Sequence, residues 1–334
     1  MSDTRGAGGG ANAPGDGTGD GARFDAVFGG LTILDIAGRP VSEIPPGGDV
    51  HFIDEIRMNP AGTAAGAVMN AAKLGARTAT ACCVGTDEMG DHIVAAYESM
   101  GIDVSMVQRS DASRTSATML TIRPNGDRPA LHCRGASDDL FVEEADFDRV
   151  CDARFLHHGG TGLLRAMDDG QSERLLAHAK RLGLTVTLDL IAPGEGTMET
   201  LRPLLAHVDW FMPSIEEARF LSGREALGDV AAFFLEAGAG GCVFKCGAEG
   251  SYLRHGDGEL RVPTWRVEVS DTTGCGDAYC GGFVAGLAAG ESLEDACRLG
   301  SATAALVATG LGSDAGVVDL ETTRRFMRET DTLG

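Results

Sequence analysis

The stretch Asp271-Thr272-Thr273-Gly274-Cys275-Gly276-Asp277-Ala278-Tyr279 limits what this chain can fold into more than any other. A strand-like run, Thr264 to Val269, leads into it. An apolar pattern of small residues, Cys280-Gly281-Gly282-Phe283-Val284-Ala285-Gly286-Leu287, leaves it as a helix. A glycine-rich hinge between strand and helix turns backbone N–H groups toward one point, and the helix N-terminus adds partial positive charge there. Gly274, Cys275 and Gly276 therefore read as an anion hole. Asp277 stands at its lip, where a carboxylate repels a bound anion. That placement makes sense for a base that takes a proton from a hydroxyl while the hole holds a phosphoryl group in transfer. A plain strand-to-helix turn with an aspartate cap is the blander reading of the same letters.

The motif resembles the second signature of the ribokinase-like (PfkB) carbohydrate kinase family, D-T-T-G-A-G-D-x-F-x-G-G-F, with Cys275 for the usual alanine and Tyr279 for the usual phenylalanine. The resemblance implies an α/β fold: a central, mostly parallel sheet flanked by helices, with a small β-sheet lid. It also implies ATP and Mg²⁺ as cofactors. Asp271 and Thr273, with the loop Gly310 to Ser313, correspond to the place where many members hold a monovalent cation, so K⁺ is a further expectation. Thr272 belongs to the same nucleotide-binding stretch.

Composition agrees with such an enzyme and excludes other classes. The chain has 334 residues, 43% of them apolar, enough for one large α/β domain with a small accessory element. No run of eighteen apolar residues suggests a membrane span, and the first residues lack a basic-then-apolar signal, so a cytoplasmic protein is expected. A net charge of −21 argues against nucleic acid as a partner. Nine cysteines without a C-x-x-C pair predict reduced thiols, with Cys82, Cys83, Cys242 and Cys246 filling the core. There is no G-x-x-x-x-G-K-[ST] for a P-loop and no G-x-G-x-x-G opening the first helix for a nicotinamide dehydrogenase.

In chain order, residues 1–22 read as a disordered tail, and 23–330 as the kinase domain. Phe24 to Gly30 predicts the first buried strand. Asp35 follows it, where ligands of an open α/β sheet bind, and is a candidate grip for a polyol; a loop cap is the alternative. Inserted segments at about 36–58 and 114–134 read as β-structure, the second as a hairpin from Thr115 to Cys133. By the resemblance these form the lid that excludes water, and its outer sheet is the expected homodimer contact. Asn59 to Gly75 resembles the family's first signature: Gly62 lets backbone approach a sugar, Thr63 offers a hydroxyl at a helix start, and Gly66 stands where the family has asparagine. Arg134, with Arg123, Arg128 and His132, is a candidate contact for an anionic substituent, solvated strand charges being the alternative.

Further along, one of His157 and His158 is a candidate to face the substrate, and Asp189 ends a strand over Leu184 to Leu190. Val208 to Pro213 predicts a strand, followed by Ser214-Ile215-Glu216-Glu217. This resembles the family's N-x-x-E, which implies that Glu217 orders Mg²⁺ through water; a capping box explains the same letters. Lys245, Gly247 and Gly250 resemble K-x-G-x-x-G, found near the nucleotide. The expected function is ATP-dependent phosphorylation of a hydroxyl on a sugar or related polyol. Asp277 is the base, Gly274 to Gly276 the anion hole, and Asp35, Gly62 and Gly66 position the acceptor. The alternatives are a nucleoside kinase, a sugar-phosphate or sugar-acid kinase, and a non-catalytic sugar- or nucleotide-binding relative.

Overall fold

The apolar run Phe24–Gly30 forms strand β1, buried almost throughout. Its side chains alternate between two cores: Val27 packs into one, Ala26 and Phe28 into the other. A strand covered on both faces reads as a near-continuous apolar run, as this one does. This computed structural model describes residues 21–256 and 258–333; the expected tail lies, up to residue 20, outside them.

The remaining strands are β2 (Ile33–Arg39), β3 (Glu55–Ala61), β4 (Thr78–Ala81), β5 (Cys83–Gly85), β6 (Gln108–Ser110), β7 (Ala117–Thr121), β8 (Ala130–Cys133), β9 (Ala153–Thr161), β10 (Thr185–Leu190), β11 (Trp210–Phe211), β12 (Gly241–Lys245), β13 (Ser251–His255) and β14 (Gly258–Val262). Eight form one sheet in the order β14-β13-β12-β11-β10-β9-β1-β4. The six strands from β12 to β4 run parallel, and β13 and β14 close one edge antiparallel. Helices cover both faces, which is the doubly covered α/β architecture that parallel strands require. Parallel strands also put their C-terminal ends on one edge, and Gly30, Thr161, Leu190 and Lys245 all end there.

A second sheet, β3-β2-β7-β8, stands apart from the first. It is wider at both ends of its first segment than the expected 36–58: β2 starts at Ile33, so Asp35 lies within this small sheet rather than in a loop after β1. The intervening residues 40–54 contain no strand, and Val50 and Phe52 project outward. The run 264–269 is not a strand leading into the hinge. Trp265 makes one isolated bridge to Thr332 and is buried against Ala302 and Ala305, its indole N–H donating to the Met327 carbonyl at 3.1 Å. Covering helices took precedence over extending the sheet. The strand expected over 208–213 shrinks to Trp210–Phe211 for lack of longer pairing. Among the described residues no helix is long and apolar enough to cross a membrane, and all nine cysteines are free, Cys82, Cys83 and Cys242 buried and Cys246 partly so.

Candidate active site

The hinge ends at Gly274, the left-handed N-cap (φ 74°) of the Cys275–Ala288 helix. A side chain there is excluded twice over, by the backbone angle and by Ser313, whose Cβ lies 2.5 Å from where a Cβ of residue 274 would sit. The first i→i−4 bond of the helix is donated by Ala278 to the Gly274 carbonyl. The N–H groups of Gly276 and Asp277 precede it and point out of the helix end, where the helix dipole is positive.

Asp277 is the third residue of that helix. It rests on Gly66 of the Thr63–Lys73 helix: a Cβ at Gly66 would come within 2.6 Å of the Asp277 Cβ. The position that carries asparagine in the resembling signature carries glycine here, and Asp277 closes over it. Burial pushes the Asp277 carboxyl up to about 7; Asp189, Asp35 and Glu217 add to the rise, and Lys245 opposes it. A carboxyl group tuned near neutrality suits proton abstraction at physiological pH.

Beneath the helix start lies a buried ion pair. Lys245 Nζ donates to Asp189 Oδ2 at 2.5 Å, and the Cys280 thiol lies 3.4 Å from the same oxygen and 3.8 Å from Nζ. The ammonium is also 3.2 Å from the point that a Gly276 Cβ would occupy. Lys245 therefore lies against the start of the hinge helix, largely buried. Gly247 and Gly250, both at positive φ, shape the turn from β12 into β13.

Over the hinge stands the small sheet. Asp35 on β2 is buried, with one carboxylate oxygen unpartnered, and burial raises it to about 6. Thr63 and Thr161 also have buried, unpartnered hydroxyls. Gly62, at φ 100°, precedes Thr63 as N-cap of its helix and packs on the Leu31 carbonyl. From the turn between β7 and β8, Arg128 Nη1 donates to the Thr273 hydroxyl at 3.0 Å, and its charge reaches Asp35 and Cys275. Of the hairpin cations, Arg128 is the one brought to the hinge. Arg134 is committed to Asp138 in two bonds of 2.6 and 2.9 Å. His132 Nδ1 bonds the Thr118 hydroxyl at 3.0 Å.

Glu217 and Ser214 do form the capping box: Glu217 Oε2 accepts from the Ser214 N–H and hydroxyl, both at 2.9 Å, while Oε1 accepts from the Ala192 N–H at 3.3 Å. The carboxylate is still near enough to raise Asp189 and Asp277. Asp271 Oδ1 accepts from the Thr273 N–H and hydroxyl, at 3.0 and 2.8 Å, which folds the hinge. Its Oδ2, and the Ser313 hydroxyl beside Gly274, are buried without partners. Both adjacent histidines are buried, and the Nε2 of His157 has no partner. His157 bonds Thr187 at 2.8 Å, His158 bonds Ser172 at 3.1 Å, and burial holds them neutral, down to about 3 and about 4.

A strand-end carboxylate, a glycine-capped helix start and an overlying sheet suit a phosphotransferase acting on a hydroxyl. The family description "pfkB family carbohydrate kinase" matches residues 25–319. The 2-dehydro-3-deoxygluconokinase of Bacillus subtilis (strain 168) is 27% identical over 297 residues, covering 86% of this chain and 92% of that protein. Among solved structures, an E. coli protein assigned as a ribokinase II, in complex with ATP and Mg²⁺, superposes with a TM-score of 0.81 at 22% identity, over 91% of this chain and 99% of its own. Arabidopsis thaliana ribokinase, complexed with ribose and ATP, gives 0.77 at 20% identity, over 91% and 98%. The chain belongs to the PfkB family of carbohydrate kinases: it is an enzyme that transfers a phosphoryl group to a sugar hydroxyl.

Proposed function

We propose that this kinase phosphorylates a small sugar or sugar acid, with Asp277 as the base. The observation that carries the reading is the seat of Asp277, on Gly66 and at the N-terminus of the helix that Gly274 caps. An acceptor hydroxyl placed between Asp35 and Asp277 gives its proton to Asp277. The resulting oxygen attacks the terminal phosphoryl group of ATP, its bond to the ADP oxygen breaks and ADP leaves; the developing charge meets the N–H groups of Gly276 and Asp277, one residue further along than the expected Gly274 to Gly276, since the Cys275 N–H donates to the Thr272 carbonyl at 3.4 Å. The lid sheet shields this end from water.

Among the described residues no three His, Cys, Asp or Glu side chains converge as a metal cage. That fits Mg²⁺ held mainly by nucleotide phosphates and water, with Glu217 accepting from that water; when bound, the ion neutralises phosphate charge. The unpartnered Asp271 Oδ2 and Ser313 hydroxyl fit a monovalent cation such as K⁺ beside the hinge.

The acceptor class follows from what lines its seat. Asp35, Thr63 and Thr161 offer hydroxyl-binding oxygens. A nucleoside would need an aromatic wall, and Phe52, the aromatic residue expected of the lid, is 90% exposed. Arg128 at the hinge favours an acceptor carrying a carboxylate, a chemistry shared with the 2-dehydro-3-deoxygluconokinase relative. The test is ADP release from MgATP across neutral sugars, sugar acids, sugar phosphates and nucleosides. Sugar acids and neutral sugars should lead; a strong preference for nucleosides would overturn the assignment.

Because Asp277 must be ionised to act, kcat/KM should fall as pH drops through about 7 and level off above it. A profile flat from pH 5.5 to 8.5 would remove Asp277 from the proton transfer.

The outer face of the lid supports a homodimer. Met58, Ile36, Met119 and Leu131 lie in register across all four strands, and Met58, Met119 and Leu131 are 50%, 52% and 64% exposed. A second copy offers the same row, so the two faces cover each other about a two-fold axis. Sedimentation should give a dimer that Met119→Asp converts to monomer. Unchanged sedimentation of the variant would place the contact elsewhere.

A further inference from the structure

Lys245 carries a charge that the proposed transfer does not yet use. It sits at the end of β12, Asp189 near the end of β10, and Cys280 on the hinge helix, so three elements meet in one buried contact. Ion pairs in such places gain little stability over apolar packing. Half of this one, the ammonium, faces the helix residue whose N–H belongs to the anion hole. Lys245 has three N–H donors, of which Asp189 takes one, with the Cys280 sulfur a distant second partner. A cation fixed behind backbone N–H groups strengthens their field in a water-poor site.

We propose that the Asp189–Lys245 pair is a positioning pair for phosphoryl transfer: Lys245 is a fixed cation beneath Gly276 that steadies both the transferring group and the Asp277 carboxylate, and Asp189 holds it there. This rests on the kinase reading above. The groups facing Asp277 are Asp189 from β10, Lys245 from β12, Asp35 from β2 and Glu217 from the Ile215–Ser222 helix, with Cys280 one turn along its own helix. Lys245 is the one cation among them. Burial, the largest single effect, works against its charge, but Asp189, Cys280 and Glu217 together outweigh it and hold the ammonium protonated above the ordinary lysine range.

The two partners act on Asp277 with opposite sign. Removing Lys245 leaves three carboxylates around the base, so its proton is held more tightly. Removing Asp189 relieves the base of its strongest like charge. The test is the pH profile of kcat/KM for wild type, Lys245→Met, Lys245→Arg and Asp189→Asn, each checked by thermal melting. Lys245→Met should move the acidic limb up by about one pH unit, and lower kcat at least tenfold with ATP KM changed less than threefold. Asp189→Asn should move the limb down, and Lys245→Arg should return it toward wild type. Where one buried charge alone prevents folding, the neutral pair Asp189→Asn/Lys245→Met should fold, keep a limb near the wild-type position and still lose kcat at least tenfold. Folded variants with unmoved limbs, or with ATP KM raised and kcat unchanged, would overturn the proposal. A wild-type enzyme with no acid limb, or one that Asp277→Asn leaves in place, would instead overturn the choice of Asp277 as base.

Discussion

Asp277→Asn should lower kcat about 10²- to 10⁴-fold, the range expected for a positioned general base, while ATP affinity stays within threefold. Asparagine keeps the shape of the side chain, so its seat on Gly66 is undisturbed. It cannot accept the hydroxyl proton. It also removes one negative charge from a group of four carboxylates, Asp35, Asp189, Glu217 and Asp277. Anion binding should therefore not suffer, which calorimetry with MgATP measures directly, beside turnover in a coupled assay. Loss of both affinity and turnover would assign Asp277 to ligand binding; retained turnover would remove it from catalysis.

Gly66→Asn, which restores the residue of the resembling signature, should inactivate this enzyme rather than improve it. A Cβ at position 66 lies 2.6 Å from the Asp277 Cβ and 3.0 Å from its Oδ2. Both positions are on packed helices, Thr63–Lys73 and Cys275–Ala288, and a Cβ does not move when its side chain rotates, so the clash is relieved by shifting one helix against the other, which displaces Asp277. A displacement of about 1 Å at a reacting group costs on the order of 10²-fold in rate. Gly66→Ala should show most of that loss, because the Cβ itself is the offending atom. Steady-state kinetics and thermal melting on both variants check this. A folded protein melting somewhat below wild type, with kcat reduced, is the expected pattern, and wild-type kcat in Gly66→Asn would mean that the helices part without displacing Asp277.

What the sequence made legible is what lies close together along it. The hinge, its helix and Asp277 occupy one contiguous stretch, and β1 declares itself by an apolar run. The pair Lys245–Asp189 spans 56 residues and exists because β11 alone separates β10 from β12 in the sheet. Arg128 reaches Thr273 across 145 residues through the placement of a hairpin turn, while its neighbour in composition, Arg134, found a local partner in Asp138. No spacing rule distinguishes those two arginines in advance. Strand bounds failed where partners decide: β2 begins at Ile33 because both β3 and β7 pair with it, and 264–269 stays out of the sheet because Trp265 is needed over the helices. The glycine at 66 reads in the sequence as a departure from the family's signature, and only the folded chain shows that Asp277 packs on it.

The most direct test of the central claim is label transfer from ATP carrying ³²P in its terminal phosphoryl group. Wild type and Asp277→Asn are incubated with Mg²⁺ and the sugar acids and neutral sugars of the acceptor panel, and the products are separated. Label should appear in a sugar phosphate with wild type, in an amount equal to the ADP formed, and fall at least a hundredfold with the variant. Label released only as inorganic phosphate, or transferred equally by both proteins, would contradict the account.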